Sequence, residues 1–313
     1  MRPSADRTKR LLQAVASIAV TVGLLGWLFG RLDLDRLRAE LAGMQLGWLG
    51  LAAALGPVQV ALAAERWRRV SGRLGAPIPR GRAVGEMALG TFLNQVVPGG
   101  VAGDAVRAWR TRLDGPAGSL GGAVRAVVAD RLVGLGVNVA VALAGLALWT
   151  QVHGVGPLPT GAAAVTGAVG VALVGLVLLP AAVPGVGRIA ADLRVALADP
   201  RAAAQLVAIS VVMTASFLLG FVWCGRAVGV SVGVAALTAM PLVLLSMSVP
   251  IGFAGWGLRE VTAAAVLPRL GVPVESAVAL SACYGLSVLI GALPGAVVPL
   301  VALPAGTAAE GEG

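Results

Sequence analysis

The sequence predicts an all-α polytopic membrane protein with about six full transmembrane helices and two broken, re-entrant helical hairpins related by an inverted repeat. Three observations lead to this fold class. Of 313 residues, 58% are hydrophobic and only 12% are charged, which is too little charge to cover the surface of a soluble chain of this length. The apolar stretches are about 17 to 25 residues long, the length that a helix needs to cross a bilayer. Two further apolar segments are interrupted by Pro and Gly, and their motifs match one another.

The composition excludes several kinds of functional site. With one His and two Cys, Cys224 and Cys283, the chain lacks the residues for a His-rich metal site, a thiolate cluster or a disulfide framework. Its one Lys is Lys9, so the Gly-x-x-x-x-Gly-Lys loop of a nucleotide hydrolase is absent. The net charge of +9 does not indicate nucleic-acid binding, because the arginines lie in short segments between apolar runs. We therefore expect no metal, no cofactor and no nucleic-acid partner.

The full spans follow one another along the chain. Residues 11–30 come after a basic tail and are not followed by a small-residue cleavage pattern, so we expect a retained span rather than a signal peptide. Residues 31–47 alternate leucines with charges, which predicts a short amphipathic helix at the membrane interface. The other full spans are expected at residues 48–64, 127–149, 161–180, 202–223 and 276–303.

Two apolar segments are broken. Residues 83–97 are too few to cross a bilayer comfortably and lead into Pro98-Gly99-Gly100, so we interpret them as the first arm of a re-entrant hairpin. Residues 234–270 form the second broken segment. If either hairpin is instead a full crossing, everything that follows it is inverted, and the sequence leaves this open.

Charge distribution gives the orientation. Six spans and two hairpins place both flexible tails, residues 1–10 and 304–313, in the cytoplasm. Most of the 24 Lys and Arg then lie on the cytoplasmic side, as the positive-inside rule requires.

An internal repeat links the two broken segments. The pattern Pro98-x-Gly-x-Ala-Gly-x-x-x-Arg107 recurs from Pro250 to Arg259 at a constant offset. We assign the halves to residues 47–150 and 202–303, approximately, of one integral membrane domain that spans residues 1–313. Because three full spans separate the copies, they enter the membrane from opposite sides, which is typical of an inverted-topology repeat.

The two breaks are the expected substrate site. Pro98 and Pro250 would act as hinges, and the free N–H groups at the start of each following half-helix favour an anion. Arg107 and Arg259 would each add a guanidinium, whose fork matches a phosphate group. The glycines expected to contact a lipid head group are Gly99, Gly100, Gly103, Gly252 and Gly255. In the alternative interpretation, Pro and Gly only permit close helix packing and the arginines reach out to the interface.

Acidic residues lie beside these arginines. Asp104 is three residues before Arg107, Asp130 adjoins Arg131, and Glu260 adjoins Arg259. A charge buried without a partner costs several kcal/mol, which predicts ion pairs. Such pairs either take part in gating or proton coupling or are structural salt bridges, and the sequence leaves both open.

Three motifs together carry a resemblance to a known family. They are Asn94 with residues 98–107, residues 127–132, and residues 252–260. In their order and spacing, over nearly the whole chain, they resemble the membrane domain of the lysylphosphatidylglycerol synthase/flippase family. The chain departs from that pattern at Ala102, where a Gly is common, and at Phe253-Ala254, which are small changes of turn geometry.

The resemblance implies a lipid flippase-like transporter of a bacterial-type inner membrane. Its cargo would be an anionic, aminoacylated or isoprenoid-linked lipid that moves between leaflets. In bifunctional members the aminoacyl transfer belongs to a separate soluble domain, for which the residues after the last span leave no room, so we expect no enzyme activity.

Two other functions stay open from the sequence. One is a non-transporting accessory protein that presents lipid to a partner biosynthetic enzyme. The other, a membrane transferase, is disfavoured because the sequence offers no metal-ligand cluster and no pair of nucleophile and base. The lipid, the direction, the energy source and the formation of a homo-oligomer are not determined by the sequence.

Overall fold

A computed structural model describes residues 3–111, 120–153, 166, 168, 184–247 and 255–298. All regular secondary structure in these residues is helical. The eleven α-helices described are α1 (Pro3–Phe29), α2 (Leu34–Ala42), α3 (Leu46–Arg73), α4 (Arg80–Val96), α5 (Ala102–Thr111), α6 (Leu120–His153), α7 (Pro184–Leu197), α8 (Pro200–Ala227), α9 (Val234–Ser246), α10 (Leu258–Val266) and α11 (Val274–Ala292). Short 3-10 turns, Leu267–Leu270 and Leu293–Val297, follow α10 and α11.

Four of the described helices are long and apolar enough to cross a membrane. They are α3, α6, α8, and α11 with its following turn. They coincide with the spans predicted at residues 48–64, 127–149, 202–223 and 276–303. The chain is thus an all-α polytopic membrane protein, as the sequence predicted.

The remaining predicted spans are less completely described. Helix α1 contains the predicted span at residues 11–30, and its apolar part is Ile18–Phe29. The predicted span at residues 161–180 lies outside the described residues apart from two positions, and the tail at 304–313 lies outside them entirely.

The predicted interfacial helix is α2. Its N-terminus is capped by Asp33, whose carboxylate accepts hydrogen bonds from the backbone N–H groups of Asp35 and Arg36 at 3.1 Å each. Leu37 turns inward and packs with Val278 in a small apolar cluster. This contact attaches α2 to α11.

The first broken segment forms an antiparallel pair of helices, α4 and α5. Gly99 and Gly100 adopt φ values of 95° and 62° in the turn, where a side chain would be strained.

Hydrogen bonds hold both ends of this helix pair. The Asn94 side chain accepts a hydrogen bond from the backbone N–H of Gly103 at 2.8 Å. At the other end of the pair, Arg82 donates to the backbone carbonyl of Arg110 at 2.9 Å. With 10 residues, α5 is roughly 15 Å long, half of what a bilayer crossing needs.

The second broken segment has the same arrangement in outline. Helices α9 and α10 pack against each other, and Gly255 and Gly257 have φ values of 78° and 88° just before α10. With 13 and 9 residues, these helices are also too short to cross a bilayer. The hinge Pro250 and the glycine Gly252 lie outside the described residues.

The two halves repeat their element order and their packing. Each has a long helix, a two-helix hairpin and a second long helix: α3 to α6, then α8 to α11. The first long helices, α3 and α8, pack along each other; α6 packs along α9, and α11 with its turn packs along α4. Exchanging the halves preserves this set of contacts. The main apolar core lies between α3 and the second half, around Phe221 and Tyr284, whose ring centroids are 4.6 Å apart.

Candidate functional site

A chain of ion pairs links α3, α5 and α6. Arg66 Nε donates to Asp130 Oδ1 at 2.8 Å, and Arg107 Nη2 lies 3.6 Å from Asp130 Oδ2. The same Arg107 nitrogen donates to Asp104 at 3.1 Å, and Arg131 makes an ion pair with the other oxygen of Asp104. We call these five residues the α5 cluster. Three guanidinium groups face two carboxylates, so one positive charge has no counter-charge within the cluster.

The centre of the α5 cluster is deeply buried. The side chains of Arg107 and Asp130 are 3% and 2% exposed. The Arg107 guanidinium stacks on the Trp67 ring, 4.5 Å from its centroid, which is favourable for a cation withdrawn from water. The cluster becomes more accessible toward Arg131, whose side chain is half exposed.

A second buried arginine lies at the corresponding position of the other half. Arg259 donates through Nε to Glu260 and to Ser281 at 3.0 Å each, and its Nη2 lies 2.5 Å from the same Glu260 oxygen. The other Glu260 oxygen accepts from the backbone N–H of Gly257 at 2.7 Å, which satisfies a donor at the N-terminus of α10. We call Arg259, Glu260 and Ser281 the α10 cluster. It is electrically neutral.

The α10 cluster is enclosed on all sides that the structure describes. Arg259 and Glu260 are 1% and 2% exposed. The guanidinium lies 4.8 Å from the Trp256 ring centroid and 6.0 Å from that of Tyr284. On α11 it presses against Gly285, where a Cβ would be 2.1 Å from Nη2.

A cavity of about 370 Å³ lies between the two halves. Its basic residues are Arg66 and Arg131, which join the cavity to the α5 cluster. Side-chain amides and hydroxyls continue the polar part. The apolar part comes mainly from the second half. The residues that line the cavity include Gln59, Arg66, Gln95, Arg131, Asn138, Ser210, Thr214, Phe217, Leu244 and Val288.

The structure separates the predicted charged site residues into two clusters. Arg107, Asp104, Asp130 and Arg131 meet in the α5 cluster, while Arg259 and Glu260 form the α10 cluster. Of these six, Arg131 is the residue that lines the cavity.

The described Pro and Gly residues of the predicted site lie in turns between helices or where two helix backbones touch. Pro98, Gly99 and Gly100 form the turn between α4 and α5. Gly103 packs directly on the backbone of Gly90, where a Cβ would be 1.8 Å from the carbonyl oxygen. Gly255 sits in the turn before α10.

Arg66 and the side-chain amides of the cavity, Gln59, Gln95 and Asn138, were not predicted from the sequence. Arg66 lies in a basic run that follows the second predicted span, but it points inward and is hydrogen-bonded to Asp130 at 2.8 Å and to Ser210 Oγ at 3.3 Å. A signal was present, because Gln59 and Arg66 are two helical turns apart and share one face of α3. The neighbouring Arg68 and Arg69 instead pair with Glu65 at 2.8 and 2.7 Å.

Comparison with known proteins supports the resemblance seen in the motifs. The family model described as the lysylphosphatidylglycerol synthase TM region matches residues 14–295. A search among curated proteins found no match, and a search among solved structures found none either. The match covers most of the chain and includes the α5 cluster, the α10 cluster and every helix that lines the cavity. The chain therefore belongs to the family of the lysylphosphatidylglycerol synthase transmembrane region.

Proposed function

We propose that this protein is a flippase-like transporter that moves a lipid between the leaflets of a bacterial-type inner membrane. The cargo class is an anionic, aminoacylated or isoprenoid-linked lipid. The observation that carries the proposal is the cavity between the halves, which combines two arginines with an apolar wall inside a bundle of membrane helices.

The polar part of the cavity suits the head group of a lipid, and the apolar part suits its acyl chains. A guanidinium offers paired N–H donors in a plane, which match the oxygens of a phosphate group. Arg131 is half exposed and held by a single carboxylate, so it is available to a head group. Phe217, Leu244 and Val288 offer an apolar surface to the adjoining hydrocarbon.

The repeated architecture supports alternating exposure of this cavity. In transporters built from inverted repeats, the site lies at the interface of the repeats and opens to either side as one rocks against the other. Here the cavity walls come from both halves, and two compact hairpins flank them. Asp104 and Asp130 each contact two arginines, so they can retain one partner while releasing another during such a movement. We place both termini in the cytoplasm and assign no catalytic step to the chain.

The test is lipid movement in proteoliposomes made from purified protein. Fluorescent phosphatidylglycerol is placed in one leaflet, and its transfer is followed by quenching from outside. We compare wild type with Arg131→Gln, which removes the accessible charge, and Arg66→Lys, which keeps the charge beside Asp130 but removes the planar fork. Arg38→Gln is the matched control, because Arg38 is 79% exposed and its ion pair among the described residues is with its neighbour Asp35.

We expect both cavity variants to slow lipid transfer by about tenfold or more, the loss typical of one charge-assisted contact, with the control unchanged. Transfer by wild type at the rate of protein-free vesicles would contradict the proposal. If wild type also retains lipid through purification and loses it in Arg131→Gln, that result would favour an accessory role in presenting lipid to a biosynthetic enzyme.

A further inference from the structure

The charges that line the cavity point to a narrower substrate class. We infer that the cavity selects phosphate head groups that carry a net negative charge and rejects lipids whose head group bears an added ammonium, such as an aminoacyl ester. This inference rests on the proposed function and names the lipid class for the same cavity.

A head group that enters the cavity meets cations and neutral amides. Among the described residues that line the cavity, the charged ones are Arg66 and Arg131, and no carboxylate is present. The amides Gln59, Gln95 and Asn138 add neutral donors and acceptors. A phosphate finds two cations and several N–H donors there, whereas an ammonium finds two like charges.

The carboxylates near the cavity point toward arginines. Asp130 accepts from Arg66 at 2.8 Å and lies 3.6 Å from Arg107, and its side chain is 2% exposed. Asp104 is held by Arg107 at 3.1 Å and by Arg131. Both carboxylates are occupied by arginines and are not part of the cavity lining. With three guanidinium groups and two carboxylates, the α5 cluster retains one positive charge, which favours an arriving anion.

The apolar part of the cavity favours a lipid over a soluble phosphate compound. A site for inorganic phosphate or a small phosphate ester needs a polar enclosure around the anion. Here Phe217, Leu244 and Val288 line the same space as the arginines. Such a surface gains free energy only when an apolar chain covers it.

Asn138 offers a direct way to change the selectivity. Its Oδ1 accepts a hydrogen bond from the Thr214 hydroxyl at 2.7 Å. An aspartate has the same shape and keeps this acceptor, so Asn138→Asp introduces a carboxylate into the cavity with little change in packing. Gln59→Glu is a second variant of the same kind on α3. Gln205→Glu is the control, because Gln205 is exposed and accepts from Arg69 outside the cavity.

The experiment measures transfer of three labelled lipids with identical acyl chains in proteoliposomes: phosphatidylglycerol, its lysyl ester and phosphatidylcholine. For wild type and Gln205→Glu we expect phosphatidylglycerol to move at least about tenfold faster than the lysyl ester, since like charges at close range cost several kcal/mol. In Asn138→Asp or Gln59→Glu the ratio should fall to about twofold or less. Equal transfer of the two lipids by wild type, or faster transfer of the lysyl ester, would overturn the inference.

Failure of transport is distinguishable from failure of selectivity. If wild type moves none of the three lipids, the proposed function is wrong, and selectivity is then measured by the lipid that remains bound to purified protein in native mass spectrometry. Preferential retention of phosphatidylglycerol over its lysyl ester would still support the inference, and equal retention would refute it. Release of the bound lipid by excess inorganic phosphate, with no requirement for an acyl chain, would show that the site takes a soluble anion and would also overturn it.

Discussion

The arginines of the repeated motif, Arg107 and Arg259, begin from the same local sequence but have different surroundings. Arg107 belongs to a cluster of three cations and two carboxylates that reaches the cavity through Arg66 and Arg131. Arg259 has one carboxylate partner and one hydroxyl partner, and it is 1% exposed. One copy leaves a charge available at the interface between the halves, and the other neutralises its charge completely.

The two copies of the motif therefore have different structural roles. The α10 cluster satisfies the helix N-terminus through Glu260 and fixes the turn before α10. The α5 cluster places its surplus charge toward a space that a ligand can enter. We therefore expect substitutions in the α10 cluster to affect stability first, and substitutions in the α5 cluster to affect lipid handling first.

The largest effect is expected for Glu260→Ala. It leaves Arg259 buried without a counter-charge and removes the acceptor for the Gly257 N–H group, so the free energy of unfolding should fall by about 3–5 kcal/mol. The measurement is the thermal unfolding of purified protein in detergent. Asp35→Ala is the control, since that carboxylate is 94% exposed and its loss should leave the transition unchanged. A transition equal to that of wild type in Glu260→Ala would show that the α10 cluster is not structural.

A pair of glycine substitutions compares the room available to each arginine. At Gly285 a new Cβ would be 2.1 Å from Arg259 Nη2, and at Gly134 it would be 2.5 Å from Arg66 Nη1. Arg259 is 1% exposed and tightly surrounded, so Gly285→Ala should destabilise the fold by about 1–3 kcal/mol.

Arg66 borders the cavity, so its side chain can shift in Gly134→Ala. We expect less destabilisation there but slower transfer of an anionic lipid, because the guanidinium leaves its position. Unfolding and transfer are measured for both variants. Equal destabilisation with equal transfer would remove the distinction between the clusters.

A smaller effect is expected for Asp104→Asn. Asp104 holds Arg131 and is 17% exposed, so neutralising it releases Arg131 toward the cavity and raises the surplus positive charge. Retention of phosphatidylglycerol by the purified protein should increase, by about tenfold at most, with little change in thermal unfolding. Native mass spectrometry measures the retention, and reduced retention would mean that Asp104 orients Arg131 for binding rather than competing with the ligand.

The smallest effect is expected for Glu65→Gln, next to Arg66 on α3. Glu65 pairs with Arg68 and Arg69, but its side chain is 24% exposed, and such pairs contribute about 1 kcal/mol or less. Stability should change little and transfer of lipid not at all. Loss of transfer would place this outward-facing group, rather than the α5 cluster, in the lipid pathway.

The sequence predicted the helices well because hydropathy and length are properties of a contiguous segment. The four described spans and α2 lie where apolar runs and leucine spacing predicted helices. The two hairpins were also visible, since Pro and Gly interrupt a segment that is too short to cross. The order of the described spans and hairpins could therefore be predicted without knowledge of packing, whereas α7 was not predicted.

The cavity could not be predicted in the same way, because residues from six helices line it and its shape depends on how the halves pack. Arg66 illustrates the difficulty. It lies in a basic run typical of a cytoplasmic loop, and only its helical face, shared with Gln59, separates it from Arg68 and Arg69. Arg107 and Arg259 share a motif, but their partners Asp130 and Ser281 lie outside it, on the corresponding helices α6 and α11, where the two halves carry different residues.

The ion pairs of the α5 cluster have a consequence for how the protein is made. All five residues lie between positions 66 and 131, so the ribosome has produced every one of them before α8 exists. Each arginine and carboxylate of the cluster finds its partner within the first half, which avoids the cost of leaving isolated charges in the lipid. The helices α8, α9 and α11 complete the wall afterwards. The charges of the first half therefore need no counter-charge from the second half, while the cavity is complete only after α11 has been made.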